Sequence, residues 1–343
     1  MTIVAEHYQF VTGVDTHARR HQFAVLNAAG HVLEERSYPT DPAGIARSVE
    51  WARSRTAGGA LLVSIDGAGS YGRLLTDAFL RAGIDVTQAP VIRYRPDGKD
   101  DRIDARLAAS SVLPLEQDAL ARPRTGAEQE ALQILLTART SMTRERTATI
   151  NALTGLLRRH DLGIDARRPL RTGQIAQIAA WRSHPTDPLD AAIARREATR
   201  LARRIRELAE QLVENNTTLR DLVTAVAPRL LDEPGVGPVS AATVYVAWSH
   251  PGRVRCEAAF ARLAGVAPKP VSTGNHHRHR LDRTGDRRLN AALHRVVITR
   301  WRAHPQTLEY TARRRAEGRT DRDIRRALKR IVARQLFRLL QAS

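Results

Sequence analysis

Phe10-Val11-Thr12-Gly13-Val14-Asp15 is the stretch on which the reading of this chain turns. Its apolar and small residues have strand character, yet it ends in a carboxylate. Strand propensity and burial both disfavour aspartate at such a position, so Asp15 reads as a functional residue. A second apolar run, Leu61-Leu62-Val63-Ser64-Ile65-Asp66, closes the same way. Downstream, Asp101 and Asp104 form an i,i+3 pair in Gly98-Lys99-Asp100-Asp101-Arg102-Ile103-Asp104-Ala105. Taken singly, Asp66 also suits a turn or helix cap, and Asp101 and Asp104 suit a solvated surface. The set says more than its members. If the strands pair and a helix carrying 101–104 packs beside them, the four carboxylates converge. So many close negative charges require divalent cations, the arrangement used by two-metal phosphodiester chemistry.

Working outward, residues 10–15, 22–26 and 31–38 read as short strands with antiparallel spacing, the last two joined by a turn at Asn27-Ala28-Ala29-Gly30. Asp41-Pro42 starts a helix with proline in its first turn, carrying Ile45, Val49 and Trp51. A strand at 60–66, a helix at 71–82 with Leu74, Leu75, Ala78 and Phe79 on one face, and a strand near 84–89 complete an α/β pattern. Residues 1–112 are therefore expected to form one domain.

Residues 113–228 read as long helices. In 127–160, Leu132, Leu135, Met142, Ile150, Leu153 and Leu156 follow a helical period, and 189–227 carries a heptad seam. That seam runs Leu201, Ile205, Leu208, Leu212, Asn215, Leu219, Leu222 and Val226, with Asn215 as a polar interruption of the kind that fixes register. It suits either an intramolecular helical hairpin or a coiled coil between subunits. Pro228 closes the helical region. Pro234-Gly235-Val236-Gly237-Pro238 then has the pattern of a helix-hairpin-helix, in which Gly235 and Gly237 would let backbone N–H groups face a phosphate. Such a turn between helices is also common as plain structure.

Composition narrows the partner. The 343 residues carry a formal charge of +19, with a pI near 11.3. Only Lys99, Lys269 and Lys329 are lysines, so the excess is arginine, which forks onto phosphates. Residues 229–343 hold 24 basic against 9 acidic side chains, which puts most of the field in the last third. This argues against a small-molecule enzyme and for a polyanion. Cys256 is the single cysteine, so no disulfide framework or cysteine-based zinc site exists. No apolar run approaches a membrane span, and the start lacks a signal-peptide pattern, so a cytoplasmic protein is expected.

A second chemical focus is Pro268-Lys269-Pro270-Val271-Ser272-Thr273-Gly274-Asn275, followed by His276-His277-Arg278-His279-Arg280. This reads as a loop. A hydroxyl among cationic side chains suits attack on a phosphodiester, since Arg and His stabilise the developing charge. An ordinary phosphate-contacting serine fits the local sequence as well. The three histidines lack the spacing of a common zinc site. A final helix at 321–340 sets Ile324, Leu328, Val332 and Leu336 against Arg325, Arg326, Lys329, Arg330, Arg334 and Arg338. Such a helix also suits a membrane surface, but its basic surroundings favour nucleic acid.

With these motifs in order, the chain resembles the insertion-sequence 110 family of transposases, the DEDD-type recombinases guided by a bridge RNA. Gly13-Val14-Asp15-Thr16-His17 is similar to the family's first acidic motif, Ile65-Asp66-Gly67-Ala68-Gly69-Ser70-Tyr71 to the second, and Asp101-Arg102-Ile103-Asp104-Ala105 to the third and fourth. Glu233–Pro238, Leu263-Ala264-Gly265-Val266-Ala267-Pro268, Arg278-His279-Arg280-Leu281 and Gly285-Asp286-Arg287-Arg288-Leu289-Asn290 resemble its C-terminal domain.

The resemblance implies a RuvC-like RNase H fold over 1–112, with Asp15, Asp66, Asp101 and Asp104 holding Mg²⁺. It implies a coiled-coil dimerisation region over 113–228 and a mainly helical domain over 229–343. There Ser272 would be the nucleophile, with Arg278, His279, Arg280, Arg287 and Arg288 on nucleic acid. DNA at the element's ends and target, a structured guide RNA and a homo-oligomer follow as partners, and the nucleoid as location. Two departures stand out. Asp66 occupies a position that is usually Glu, and Thr273 directly precedes the glycine where the family's serine often lies, leaving Ser272 or Thr273 as the nucleophile position. A RuvC-like endonuclease or junction resolvase without a covalent intermediate, and a non-enzymatic nucleic-acid-coating protein, are the rival readings.

Overall fold

The structure is a computed structural model and describes residues 2–90, 100–182, 188–273, 276–280 and 285–342. The chain forms two compact units, Met1–Thr125 and Gly126–Ser343.

The first unit is built on one five-stranded sheet. After a short helix α1 (Val4–His7) come β1 (Phe10–Thr16), β2 (Arg20–Asn27) and β3 (Val32–Pro39), antiparallel as their spacing predicts. Helix α2 (Pro42–Thr56) follows, its first turn closed by the Asp41 carboxylate, which accepts from the Gly44 N–H at 2.6 Å. Strand β4 (Leu61–Ile65), helix α3 (Arg73–Arg81), strand β5 (Asp85–Gln88) and helix α4 (Asp101–Ser110) complete the unit. Strand order is β3-β2-β1-β4-β5, with β4 parallel to both β1 and β5.

Period-two alternation divides the sheet's apolar side chains between two cores. Val14, Phe23, Val25, Val63 and Ile65 pack with Ile45, Trp51, Leu75 and Phe79 from α2 and α3. On the opposite face Val11, Ala24, Leu26 and Leu62 meet Ala105 and Ala109 of α4, with Val4 of α1. The expected apolar face of the 71–82 helix is corrected at one position. Leu74 is 65% exposed, because the buried face runs through Leu75, Thr76 and Phe79.

Gly13 governs how closely α4 approaches. A Cβ there would overlap the Ala105 carbonyl oxygen and stand 2.5 Å from the Ala109 nitrogen, so only a bare Cα lets the helix backbone lie on β1. Asp100 caps α4 by accepting from the Arg102 N–H at 2.8 Å, which starts the helix at Asp101.

In the second unit, α5 (Ala127–Arg159) and α7 (Leu189–Val226) run antiparallel, with the short α6 (Thr172–Ala179) packed at one end. Leu153 and Leu157 lie with Ala198, Ala202 and Ile205 there, while Leu132 and Leu136 meet Leu219 and Val223 at the other end. The heptad seam of α7 is thus buried within its own chain. Asn215 donates to the Leu135 carbonyl at 3.1 Å, and Arg139 donates to the Leu212 carbonyl at 3.0 Å, so the polar position sets the register of a helical hairpin.

A 3₁₀ turn at Pro228–Leu230 leads to α8 (Pro238–Trp248), α9 (Glu257–Leu263), strands β6 (Lys269–Thr273) and β7 (His276–Arg280), and helices α10 (Arg287–Ala303), α11 (Pro305–Ala316) and α12 (Asp321–Gln341). Their shared core includes Val244, Phe260, Leu293, Val296, Leu328, Val332 and Leu336. Two expectations change here. The Pro234–Pro238 turn follows a 3₁₀ turn rather than a short α-helix, because Pro228 and Pro234 bracket too few residues to complete one. The expected loop at 268–280 is instead a two-stranded antiparallel ribbon, with Ser272 in register with His277 and Val271 with Arg278.

Candidate active site

The acidic residues are delivered by the ends of β1 and α4. Asp15 is the penultimate residue of β1 and is 7% exposed. Its face of the strand is set by alternation: Val14 points into the α2/α3 core, so Asp15 shares the side of Gly13, where α4 lies. Asp101 and Asp104 occupy the first turn of α4, where the helix dipole favours carboxylates.

His17 joins the two elements. Its Nε2 lies 2.9 Å from Asp15 Oδ2 and 3.2 Å from Asp101 Oδ1. One ligand atom from each of Asp15, His17 and Asp101 falls within 4.8 Å of the others. Burial pushes the Asp15 carboxyl above the usual aspartate range; His17 pulls it back, and the charges of Asp104 and Asp101 add to the rise. Burial lowers the His17 imidazole, but Asp15 and Asp101 outweigh it and the net shift is upward. The backbone N–H of His17 donates to Nδ1 of His21 at 3.4 Å, and burial together with the neighbouring His17 holds the His21 imidazole below its usual range.

Asp66 follows β4, the parallel neighbour of β1. Its N–H donates to the Val14 carbonyl at 2.9 Å and its own carbonyl accepts from Thr16 Oγ1 at 2.7 Å, so its backbone abuts the end of β1. Its carboxylate is exposed and is not one of the three groups that share the 4.8 Å cluster. Of the four expected acids, the structure gathers Asp15 and Asp101 with Asp104 close enough for its charge to act on Asp15, and it sets the backbone of Asp66 beside them. His17 was not anticipated as a site residue. The available signal was its i,i+2 spacing from Asp15, which on an extended strand places both on one face. Two carboxylates and an imidazole within this distance are a donor set suited to a divalent cation.

In the second unit, Gly235 has φ +77°, and a Cβ there would crowd the Val296 carbonyl at 3.2 Å. Gly237 is the exposed N-cap of α8. Arg300, 6% exposed, pins this turn through Pro234 O at 2.7 Å, Glu233 at 2.8 Å and Gln335 at 2.7 Å. Motifs 263–268 and 285–290 meet backbone to backbone. The Asp286 N–H donates to the Leu263 carbonyl at 2.6 Å, and a Cβ at Gly285 would stand 2.5 Å from Gly265 Cα. Arg287 and Arg288 open α10 and are exposed. Ser272, Thr273, Arg278, His279 and Arg280 have backbone positions in the β6–β7 ribbon, but their side chains, with Gly98, Lys99, Gly274, Asn275 and Leu281, lie outside the described residues. Among the described residues no helix is long and apolar enough to cross a membrane.

Two family models match the chain. One, described as a transposase and belonging to the DEDD IS110 group, covers residues 12–161; the other, described as transposase IS116/IS110/IS902 family, covers residues 227–312. A Pseudomonas aeruginosa protein named a probable family 20 transposase is 28% identical over 210 residues, which span 58% of this chain and 59% of that protein. A Sinorhizobium fredii protein carrying the name transposase y4pF/y4sB is 28% identical over 204 residues, 58% of this chain and 50% of that protein. The chain thus spans between half and three fifths of the length of these curated relatives. The first matched span contains the acidic cluster and the second contains the 233–238 turn and both packed C-terminal motifs, and the chain belongs to the IS116/IS110/IS902 family of transposases.

Proposed function

We propose that this protein cleaves and exchanges DNA strands to mobilise an insertion element, with the acidic cluster of its first unit and Ser272 of its second as the reacting groups. The observation that carries the reading is the meeting of Asp15, His17 and Asp101 across β1 and α4. The strand order β3-β2-β1-β4-β5, with only β2 antiparallel to the rest, supports a RuvC-like RNase H fold. Asp15, Asp66, Asp101 and Asp104 would hold Mg²⁺, with His17 as an additional ligand. Bound Mg²⁺ supplies Lewis-acid polarisation of the phosphodiester.

The chain's own groups then do the following. Asp15 and Asp101, with Asp104 close by, would hold the cation that draws the scissile phosphate to this end of β1. The Ser272 hydroxyl attacks phosphorus, the bond to one sugar oxygen breaks, and the serine proton ends on that departing oxygen. A phosphoserine link and a free sugar hydroxyl result, and attack by the hydroxyl of another strand reverses the step and completes exchange. Arg278, His279, Arg280, Arg287 and Arg288 bind phosphates near the junction, and Gly235 and Gly237 let backbone N–H groups approach the duplex. The family resemblance adds a structured guide RNA, and an oligomer in which one protomer's serine serves another's acids. It also supports 1–112, 113–228 and 229–343 as catalytic, oligomerising and serine-bearing regions.

Trapping tests the covalent route. The wild type, supplied with element DNA, target, guide RNA and Mg²⁺, is expected to yield a protein–DNA adduct on denaturing gels, and Ser272→Ala to yield none. Cleavage by Ser272→Ala at the wild-type rate would establish the water-using resolvase reading instead. DNA binding by the wild type with no Mg²⁺-dependent strand transfer would establish the coating protein.

A further inference from the structure

Asp15-Thr16-His17-Ala18-Arg19-Arg20-His21 carries the strand of the acidic cluster round into β2, and it holds two histidines of opposite burial. His17 is exposed in the turn, whereas His21, 2% exposed, is the only buried histidine among the described residues. Its surroundings are mostly apolar. His21 stands opposite Thr16 of β1 and Tyr38 of β3, and its ring meets that of Phe23 edge-on, with centroids 6.5 Å apart. An apolar side chain would be the ordinary occupant there, because a buried imidazole loses hydration unless its nitrogens find partners.

The partner is His17 itself. The His17 backbone N–H donates to His21 Nδ1 at 3.4 Å. An accepting ring nitrogen carries no proton, so this hydrogen bond assigns the proton of the neutral ring to Nε2. The rest of the turn is held by Thr40, whose Oγ1 donates to the Ala18 carbonyl at 3.1 Å and whose N–H donates to the Arg19 carbonyl at 3.2 Å. His21 thus grips the one residue of the turn whose ring lies in the cluster, 2.9 Å from Asp15 Oδ2 and 3.2 Å from Asp101 Oδ1. It shares the α2/α3 face of the sheet with Phe23, so it reaches the cluster only through the His17 amide.

We infer that His21 is a positioning residue for the candidate metal site: by accepting from the His17 amide it fixes the turn that sets the His17 imidazole against Asp15 and Asp101. This rests on the reading of Asp15, His17 and Asp101 as a cation site. The physical reason is the exposure of His17, whose side chain is 48% accessible. A side chain so open, on a turn left free to move, has other rotamers within reach, and ordering it at the moment of binding weakens a site. Groups that orient a ligand without touching the cation contribute about 10- to 100-fold in metal affinity.

The test uses the full-length protein with Mn²⁺ as the only added ligand. Titration calorimetry reads the affinity, and electron spin echo envelope modulation reads whether an imidazole nitrogen is coordinated. The wild type is expected to bind Mn²⁺ with the nitrogen signature. His21→Leu, which fills the space and offers no acceptor, is expected to bind about 10- to 100-fold more weakly and to lose that signature. His21→Asn, whose amide oxygen takes the place of Nδ1, is expected to restore both. Should His21→Leu not fold, His21→Gln, whose polar end reaches the Nε2 position instead, replaces it with the same expectation. Wild-type affinity or an unchanged nitrogen signature in His21→Leu overturns the inference, and so does a wild type without the signature. Failure of His21→Asn to restore them marks a packing role and equally overturns it. Asp15→Asn judges the cluster separately. Loss of Mn²⁺ binding there, with His21→Leu unaffected, keeps the cluster reading and removes His21 from it, whereas binding untouched by Asp15→Asn sinks both.

Discussion

At the residue scale, the cluster turns on an imidazole between two carboxylates. Replacing His17 by alanine removes one candidate ligand and the imidazole that links Asp15 to Asp101. Titration calorimetry with Mn²⁺ is expected to show affinity reduced by at least the roughly 10- to 100-fold that even outer partners of a metal site contribute. Unchanged affinity would remove His17 from the ligand set. Asp15 was legible because aspartate is out of place in an apolar strand, and Asp101 with Asp104 because their spacing puts them on one helix face. His17 was hidden in plain view. In Gly13–His17 it reads as a motif letter, and only the observed ring position, 2.9 Å from Asp15, makes it a site residue. Asp66 was read as an equal member of the set, whereas its exposed carboxylate stands apart from the close cluster.

At the element scale, the sheet was readable because its strands alternate or run continuously apolar between glycine and proline punctuation. The β6–β7 ribbon was not. Five cationic or imidazole residues in a row and Pro270 mask the strand signal, although Gly274-Asn275 between two short segments is itself a hairpin spacing. The seam of α7 was found, but whether it paired within the chain or between chains depended on α5, whose weaker periodicity did not advertise a partner. The position of α4 is the element-scale feature that matters most to chemistry, and Gly13 controls it. Gly13→Ala is expected to lift α4 from β1 and to destabilise the fold by about 1–3 kcal/mol, as overpacking of tight cores does. Circular dichroism melting should show a lower transition, and Mn²⁺ binding should fall with it. A variant that melts and binds as the wild type does would show that α4 is not seated as described.

At the scale of the whole molecule, charge is the organising property. The excess of arginine in the last third is only partly consumed by partners. On α12, Arg330, Arg334 and Arg338 share the single carboxylate of Glu257 at 3.7, 3.1 and 3.6 Å, which leaves two surplus charges along one face. If that face lies on a phosphate backbone, each contact contributes about 0.9 to the slope of log affinity against log salt. The double variant Arg334→Ala, Arg338→Ala should therefore lower the measured slope by about two, without changing preference among sequences. An unchanged slope would place the nucleic acid elsewhere. This balance was visible in composition alone, because it needs only counting, whereas the ion pairs that neutralise individual arginines needed coordinates.

The seating of α4 on a bare Cα also bears on how mobile elements decay. Once a genomic copy escapes selection, substitutions accumulate anywhere, and the loss of a carboxylate is the obvious sign of a dead copy. Any residue other than glycine at 13 would drive the α4 backbone outward and part Asp101 from Asp15 while every acid remains in the alignment. Inventories of elements that score only the acidic letters would then count fossils as living, and position 13 offers a second criterion for telling them apart.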